Sequence, residues 1–90
     1  MELASRGMIY RRLGQDEKAQ ADFNRAIEIA NGELAANSNN WDALSDRDRT
    51  YRLMGEFELA LADLNRALAI APRTAWLEEE RQKALQEISE

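Results

Sequence analysis

The sequence contains no cysteine and no histidine. The first absence removes disulfides and thiolate metal sites. The second removes the commonest general base and the commonest side-chain metal ligand. Proline occurs once and glycine four times, so little in the chain interrupts a helix. No apolar run approaches the roughly 18 residues that a membrane span needs. The start, Met1-Glu2-Leu3-Ala4-Ser5-Arg6, lacks the basic-then-apolar layout of a signal peptide. Together these predict no membrane partner and a cytoplasmic location. Net charge is −5 and lysine and arginine form no run, which argues against nucleic acid as a partner. The acidity reads as a solubility device. A glycine-rich phosphate loop, a nucleophile elbow and a metal-ligand cluster are all missing. The chain therefore reads as a non-enzyme with no catalytic residue, cofactor or metal.

What is present favours helix. Ninety residues make one small domain with a modest core. The chain is 44% hydrophobic and 32% charged, enough apolar content to fold. Alanine, leucine, glutamate and arginine abound, and all are strong helix formers.

An internal repeat organises the chain. Residues 19–30, AQADFNRAIEIA, lie above residues 60–71, ALADLNRALAIA, and eight of the twelve pairs are identical. The offset of 41 (60 − 19) also pairs Arg6 with Arg47, Tyr10 with Tyr51, Arg11 with Arg52 and Gly14 with Gly55. Each unit reads as two helices. Leu3, Gly7, Tyr10 and Leu13 recur at three- and four-residue steps and mark one helical face. Gly14 breaks that pattern, and Asp16 with Glu17 supplies N-terminal chemistry for a second helix. The second helix carries Ala19, Phe23, Ala26, Ile27 and Ala30 on its inner stripe. In the second unit Leu44, Tyr51 and Met54 come first. Gly55 turns the chain, and Phe57, Ala60, Leu61, Leu64, Ala67, Leu68 and Ala71 follow. Pro72 ends that hairpin. A fifth helix is predicted beyond it, capped by Thr74, with Leu77, Ala84, Leu85 and Ile88 as a narrow apolar stripe.

These residues resemble the tetratricopeptide repeat family. In the first unit the likeness rests on Leu3, Gly7, Tyr10, Leu13-Gly14, Ala19, Phe23 and Ala26. In the second it rests on Leu44, Tyr51, Gly55, Phe57, Ala60, Leu64, Ala67 and Pro72. The resemblance implies an all-α, right-handed superhelix: two antiparallel helical hairpins plus a capping helix, an α-solenoid fragment. The corresponding division is repeat one at 1–31, an insert at 32–40, repeat two at 41–72 and a capping helix at 73–90. Three positions depart from the family pattern. Asp48 stands where a small residue is usual, Asp16 where an aromatic is usual, and Asn31 where a helix-ending proline is usual. The offset also exceeds the 34-residue family repeat by seven, close to two helical turns. Gly32 and the run Asn37-Ser38-Asn39-Asn40 argue for a break there, and Leu34-Ala35-Ala36 for more helix. The expected outcome is a second helix reaching about Ala36, a short loop, and Asn39 or Asn40 capping the third helix.

The resemblance implies a protein-protein interaction module whose concave face, lined by the first helix of each hairpin, binds a peptide or partner protein. The positions placed there are Ala4, Met8, Arg11 and Arg12, then Ser45, Arg49, Arg52 and Leu53. Residues 1–14 carry a charge of +2 and residues 41–55 carry 0, whereas the later helix of each hairpin, to Asn31 and to Pro72, carries −2. The face is thus electropositive relative to its back, which suits an acidic or carboxylate-ended peptide. The competing account is that these arginines are solvated or pair locally with Asp42, Asp46 and Asp48. Trp41 and Trp76, at helix starts, read as packing residues rather than interface anchors. Tyr10 and Tyr51 read as core residues rather than a base-stacking pair. Asp22 with Arg25, and Asp63 with Arg66, have the spacing of local ion pairs. The alternative function is structural: self-association into a homo-oligomer, or stacking on further repeats, through a first helix whose apolar end near Leu3 is bare.

Overall fold

Five helices follow one another along the chain: α1 (Leu3–Arg12), α2 (Asp16–Ala36), α3 (Trp41–Met54), α4 (Phe57–Ile70) and α5 (Ala75–Ser89). The computed structural model describes residues 3–70 and 75–89, and the side chains of 3–70 and 78–88. Among the described residues there is no strand. The expectations placed on Ala71, Pro72, Thr74 and the side chains of Trp76 and Leu77 lie outside them. α1 packs on α2 and α3 on α4, each as a hairpin. α2 joins the hairpins by packing on α3, and α5 closes the array against α4.

The two hairpins turn identically because their turn residues are equivalent. Gly14 and Gly55 have φ of +77° and +85°, a left-handed conformation that costs glycine nothing. The amide of the next residue then donates back five positions, Gln15 to Tyr10 and Glu56 to Tyr51, both at 2.8 Å. This is a Schellman ending, which satisfies carbonyls that the helix leaves open.

Most of the extra segment is helix: α2 runs through residues 31–36, and residues 37–40 form the loop. Without a proline at Asn31, nothing stops α2, and it continues through Gly32 to Ala36. Seven residues turn the helix by nearly two full turns, so its inner stripe stays in register. The extension reaches the second hairpin. Leu34 and Trp41 both pack against a core formed by Leu44, Leu64, Ala67, Leu68 and Ala84. Asn31 Oδ1 accepts from Arg47 at 2.9 Å, and the Ser38 carbonyl accepts from Arg66 at 3.0 Å. The loop is built from asparagines. Asn37 Oδ1 accepts from the Asn39 amide, and Asn40 caps α3 by accepting from the Ala43 amide at 3.1 Å.

Several positions depart from the expected faces. Leu13 is 66% exposed rather than packed. Ala4, expected on the open face, is buried. In α5 only Ala84 of the described stripe is buried, while Leu85 and Ile88 are exposed. Asp22 does not pair with Arg25. It faces α1 and takes a two-pronged grip from Arg6, at 2.8 and 2.7 Å, while Arg25 reaches Glu28 on the outer surface. Asp63 is held in the same way by Arg47, at 2.8 and 2.6 Å. Tyr10 and Tyr51 are half-buried, each with the guanidinium of its own unit's gripping arginine 5.9 Å from the ring centre.

Gly7 and Asp48 occupy the same register position in the two units. A Cβ on Gly7 would sit 2.8 Å from the buried Phe23 ring. In the second unit Leu64 takes the place of Phe23 and the buried Asp48 that of Gly7, which predicts that the volume the ring would fill accommodates the larger side chain. Gly7→Ala is expected to be destabilising. Overpacking costs about 1–3 kcal/mol, and the better helix propensity of alanine returns only about 1 kcal/mol. In a Phe23→Leu background the same change should become neutral or stabilising. Urea unfolding of the four proteins in that cycle checks it, and an equal penalty in both backgrounds would refute the volume exchange.

Candidate functional site

α1, α3 and α5 present one side of the array, with α2 and α4 behind them. Two clefts open on that side, one on each flank of α3. The first, of about 290 Å³, is lined by Leu3 of α1, by Ala26, Ile29, Ala30 and Glu33 of α2, and by Asp46, Arg49 and Thr50 of α3. Its floor is apolar because the inner stripe of α2 passes beneath it. The second, of about 240 Å³, is lined by Ser45, Asp46, Asp48, Arg49 and Arg52 of α3 and Glu80 of α5. The clefts share a wall, the pair Asp46 and Arg49, whose side chains approach to 3.9 Å at three-residue helical spacing.

The second cleft is electrostatically unusual. Asp48 is 1% exposed. Its Oδ1 lies 3.4 Å from Arg52 Nε, yet neither atom makes a hydrogen bond. Arg52 also pairs with Glu80, so one guanidinium serves two carboxylates. Burial therefore outweighs the imperfect ion pair and pushes the Asp48 carboxyl up to about 7. Arg52 and Arg49 on α3 oppose that rise, while Glu80 on α5 and Asp63 on α4 add to it. Asp63 is itself gripped by Arg47. The opposite holds at Asp22, whose carboxyl is lowered by the hydrogen bonds from Arg6.

The structure brings Ser45, Arg49 and Arg52 around one cleft. Met8, Arg11 and Arg12 do not line that cleft. Met8 is half-buried and Arg12 is exposed. Arg11 donates to the Leu53 carbonyl at the end of α3 and lies 5.1 Å from the centre of the Phe23 ring. Local pairing to Asp46 and Asp48 is what Arg49 and Arg52 do. Sequence reasoning missed Glu80, which belongs to the same cleft although it is 28 residues (80 − 52) beyond Arg52. Its only sequence signal was its place in the acidic first half of the closing helix. Among the described residues no group of three or more histidine, cysteine or acidic side chains could hold a metal ion. None of their helices is long and apolar enough to cross a membrane.

Because the folded state raises Asp48 above its ordinary value of 3.8, folding favours the protonated carboxyl. The stability gained is complete below the unfolded value and is lost as pH rises through about 7. Asp48→Asn removes a buried charge only where that charge exists. The variant should exceed the parent in stability at pH ~8 by on the order of 1–2 kcal/mol, roughly 5–10 °C in Tm. The difference should narrow as pH falls from about 7 and vanish only below the ordinary carboxyl value of 3.8. Thermal unfolding across that range checks it, and a pH-independent difference would contradict the assignment.

A family model described as tetratricopeptide repeat matches residues 1–73. Repeats of this family generally mediate protein-protein interactions. No curated protein matches the chain. With equivalent turns, equivalent arginine grips and small-on-large seams in both hairpins, the chain belongs to the tetratricopeptide repeat family.

Proposed function

We propose that this protein is an interaction module that binds a polypeptide segment across the side formed by α1, α3 and α5. The observation that carries this reading is the pair of clefts sharing the Asp46–Arg49 wall. One offers an apolar floor and the other a set of charged groups, the combination that anchors and orients a segment. The expectation of an acidic partner has less support than the sequence suggested. Arg6 and Arg47 grip Asp22 and Asp63, Arg11 serves the Leu53 carbonyl, and Arg52 is shared by Asp48 and Glu80. Binders selected from a displayed random-peptide library, titrated into isotopically labelled protein, should shift the backbone amides of Asp46, Arg49 and Glu80 most. Selected binders whose shifts cluster on the outward surfaces of α2 and α4 would refute the assignment.

Self-association has one observation of its own. Ile9 and Leu13 of α1 are 43% and 66% exposed. Their equivalents in the second unit, Thr50 and Met54, are buried and half-buried. The first hairpin thus leaves open a surface that the second one covers. If this surface joins copies, sedimentation should show association rising with protein concentration, and the double variant Ile9→Lys, Leu13→Lys should abolish it. A parent chain that stays monomeric at millimolar concentration would rule it out.

A further inference from the structure

We infer that the paired clefts recognise an extended segment carrying an apolar side chain and a basic side chain three residues apart. This rests on reading the α1–α3–α5 side as the binding surface, and it names the chemistry of the occupant. The basic group would sit in the second cleft, whose lining holds three carboxylates, Asp46, Asp48 and Glu80, against two guanidinium groups, Arg49 and Arg52. Counting lining groups alone, the balance is negative. The stronger point is Asp48. Its carboxylate is almost wholly buried, lines the cleft, and has an oxygen without a hydrogen-bond donor. A buried acceptor left in that condition costs free energy that an incoming donor would recover. An ammonium brings three donors and a positive charge, and either a lysine or an arginine head could supply the contact. An acidic side chain in the same place would add a fourth carboxylate, and the one nitrogen there without an acceptor, Arg52 Nε, is buried 3.4 Å from the Asp48 oxygen and already faces it.

The apolar group would sit in the first cleft, over Leu3, Ala26, Ile29 and Ala30. The spacing follows from the scaffold. The clefts flank one helix, so their centres are separated by about one helix diameter, roughly 10 Å. A polyproline II segment advances about 3.1 Å per residue with three residues per turn, so positions i and i+3 face the same way about 9 Å apart. The Asp46–Arg49 wall lies beneath the two intervening residues, where it can meet backbone N–H and C=O groups.

The basic contact also has a built-in pH dependence. A cation binds the ionised Asp48, and the groups that set its ionisation are Arg49 and Arg52 on α3, Glu80 on α5, and Asp63 with its Arg47 across the α3–α4 seam. Affinity should therefore fall as pH drops below the neutral range.

The test uses the whole chain and matched seven-residue peptides, capped at both ends, in which Leu-x-x-Lys is compared with Leu-x-x-Glu, Leu-x-x-norleucine and Ser-x-x-Lys. Both chain directions of each pattern are included. Binding is read from amide shifts and from calorimetry. The expected result is that a Leu/Lys peptide moves Asp46, Asp48, Arg49 and Glu80. Replacing its lysine by glutamate or norleucine should weaken binding about tenfold or more. The affinity of the Leu/Lys peptide should drop about tenfold from pH ~8 to pH ~5.5. In Asp48→Asn, expected to be at least as stable as the parent at pH ~8, binding should be weaker and flat across that range. If the glutamate peptide binds the same residues as well as the lysine peptide, the inference is overturned while the interaction-module reading stands. If library-selected binders map to other surfaces and none of the matched peptides binds, both are overturned.

Discussion

The helices of this protein meet through alanine. Of the eleven buried hydrophobic residues among those described, seven are alanines: Ala4, Ala19, Ala30, Ala43, Ala60, Ala67 and Ala84. A side chain that small lets two helix backbones approach closely, but it removes little apolar surface from water. The hydrophobic contribution is therefore concentrated in a few large side chains, chiefly Phe23, Leu44 and Leu64. Close approach also leaves no room for error across the seam, as the 2.8 Å between a hypothetical Gly7 Cβ and the Phe23 ring shows. The paired grips of Arg6 on Asp22 and Arg47 on Asp63 complement this seam. Each is bidentate, joins the two helices of one hairpin, and fixes their relative rotation in a way that nearly featureless alanine contacts do not.

The duplication makes the differences between the copies informative. A unit that only needed to pack would keep glycine against phenylalanine in both places. The second unit has Asp48 with Leu64 instead. A buried carboxylate with an imperfect partner is a poor stabilising device, because the cost of desolvation exceeds what one skewed ion pair returns. Asp48 lines a cleft, where the first unit has the buried Gly7, and the proposed site rests on that difference between the copies. α5 completes that site. Ala84 docks it on the core, and Glu80, one turn earlier, is carried to Arg52.

Much of the fold was legible because it is written twice. The 41-residue offset located both hairpins, both turns and the inner stripes. The seven-residue excess was readable as two further turns, since Leu34-Ala35-Ala36 outweighs a single exposed Gly32 whose place in the helix costs only about 1 kcal/mol. What was less legible followed from reasoning within one helix at a time. Asp22 lies three residues from Arg25 and also sixteen from Arg6, and local spacing favoured the wrong partner. The repeat held the correction, because Arg47 and Asp63 stand at the same separation of sixteen. Periodicity places Leu13 inward, but it falls past the end of α1, where the chain already turns toward Gly14. The contribution of Glu80 could not be seen from a helix considered alone, since it depends on how α5 crosses α3.

The arginines show most clearly why counting charge on a helix is not the same as locating charge on a surface. α1 and α3 hold half of the basic residues of the chain, and a helical wheel places several of them toward the open side. Six arginines on those helices meet a chain that is acidic overall. In such a chain a guanidinium finds a carboxylate or a carbonyl within reach more readily than it stays solvated. Arg6, Arg47 and Arg52 are so used, and Arg11 closes the end of α3. Once they are paired, the chemistry left at the α3–α5 cleft is set by the carboxylates that exceed their partners there, and Asp48 has an oxygen without a hydrogen-bond donor. The charge that the proposed site offers is thus read from the pairing inside the fold, since α3, with three arginines against three aspartates, carries no net charge that would indicate a sign.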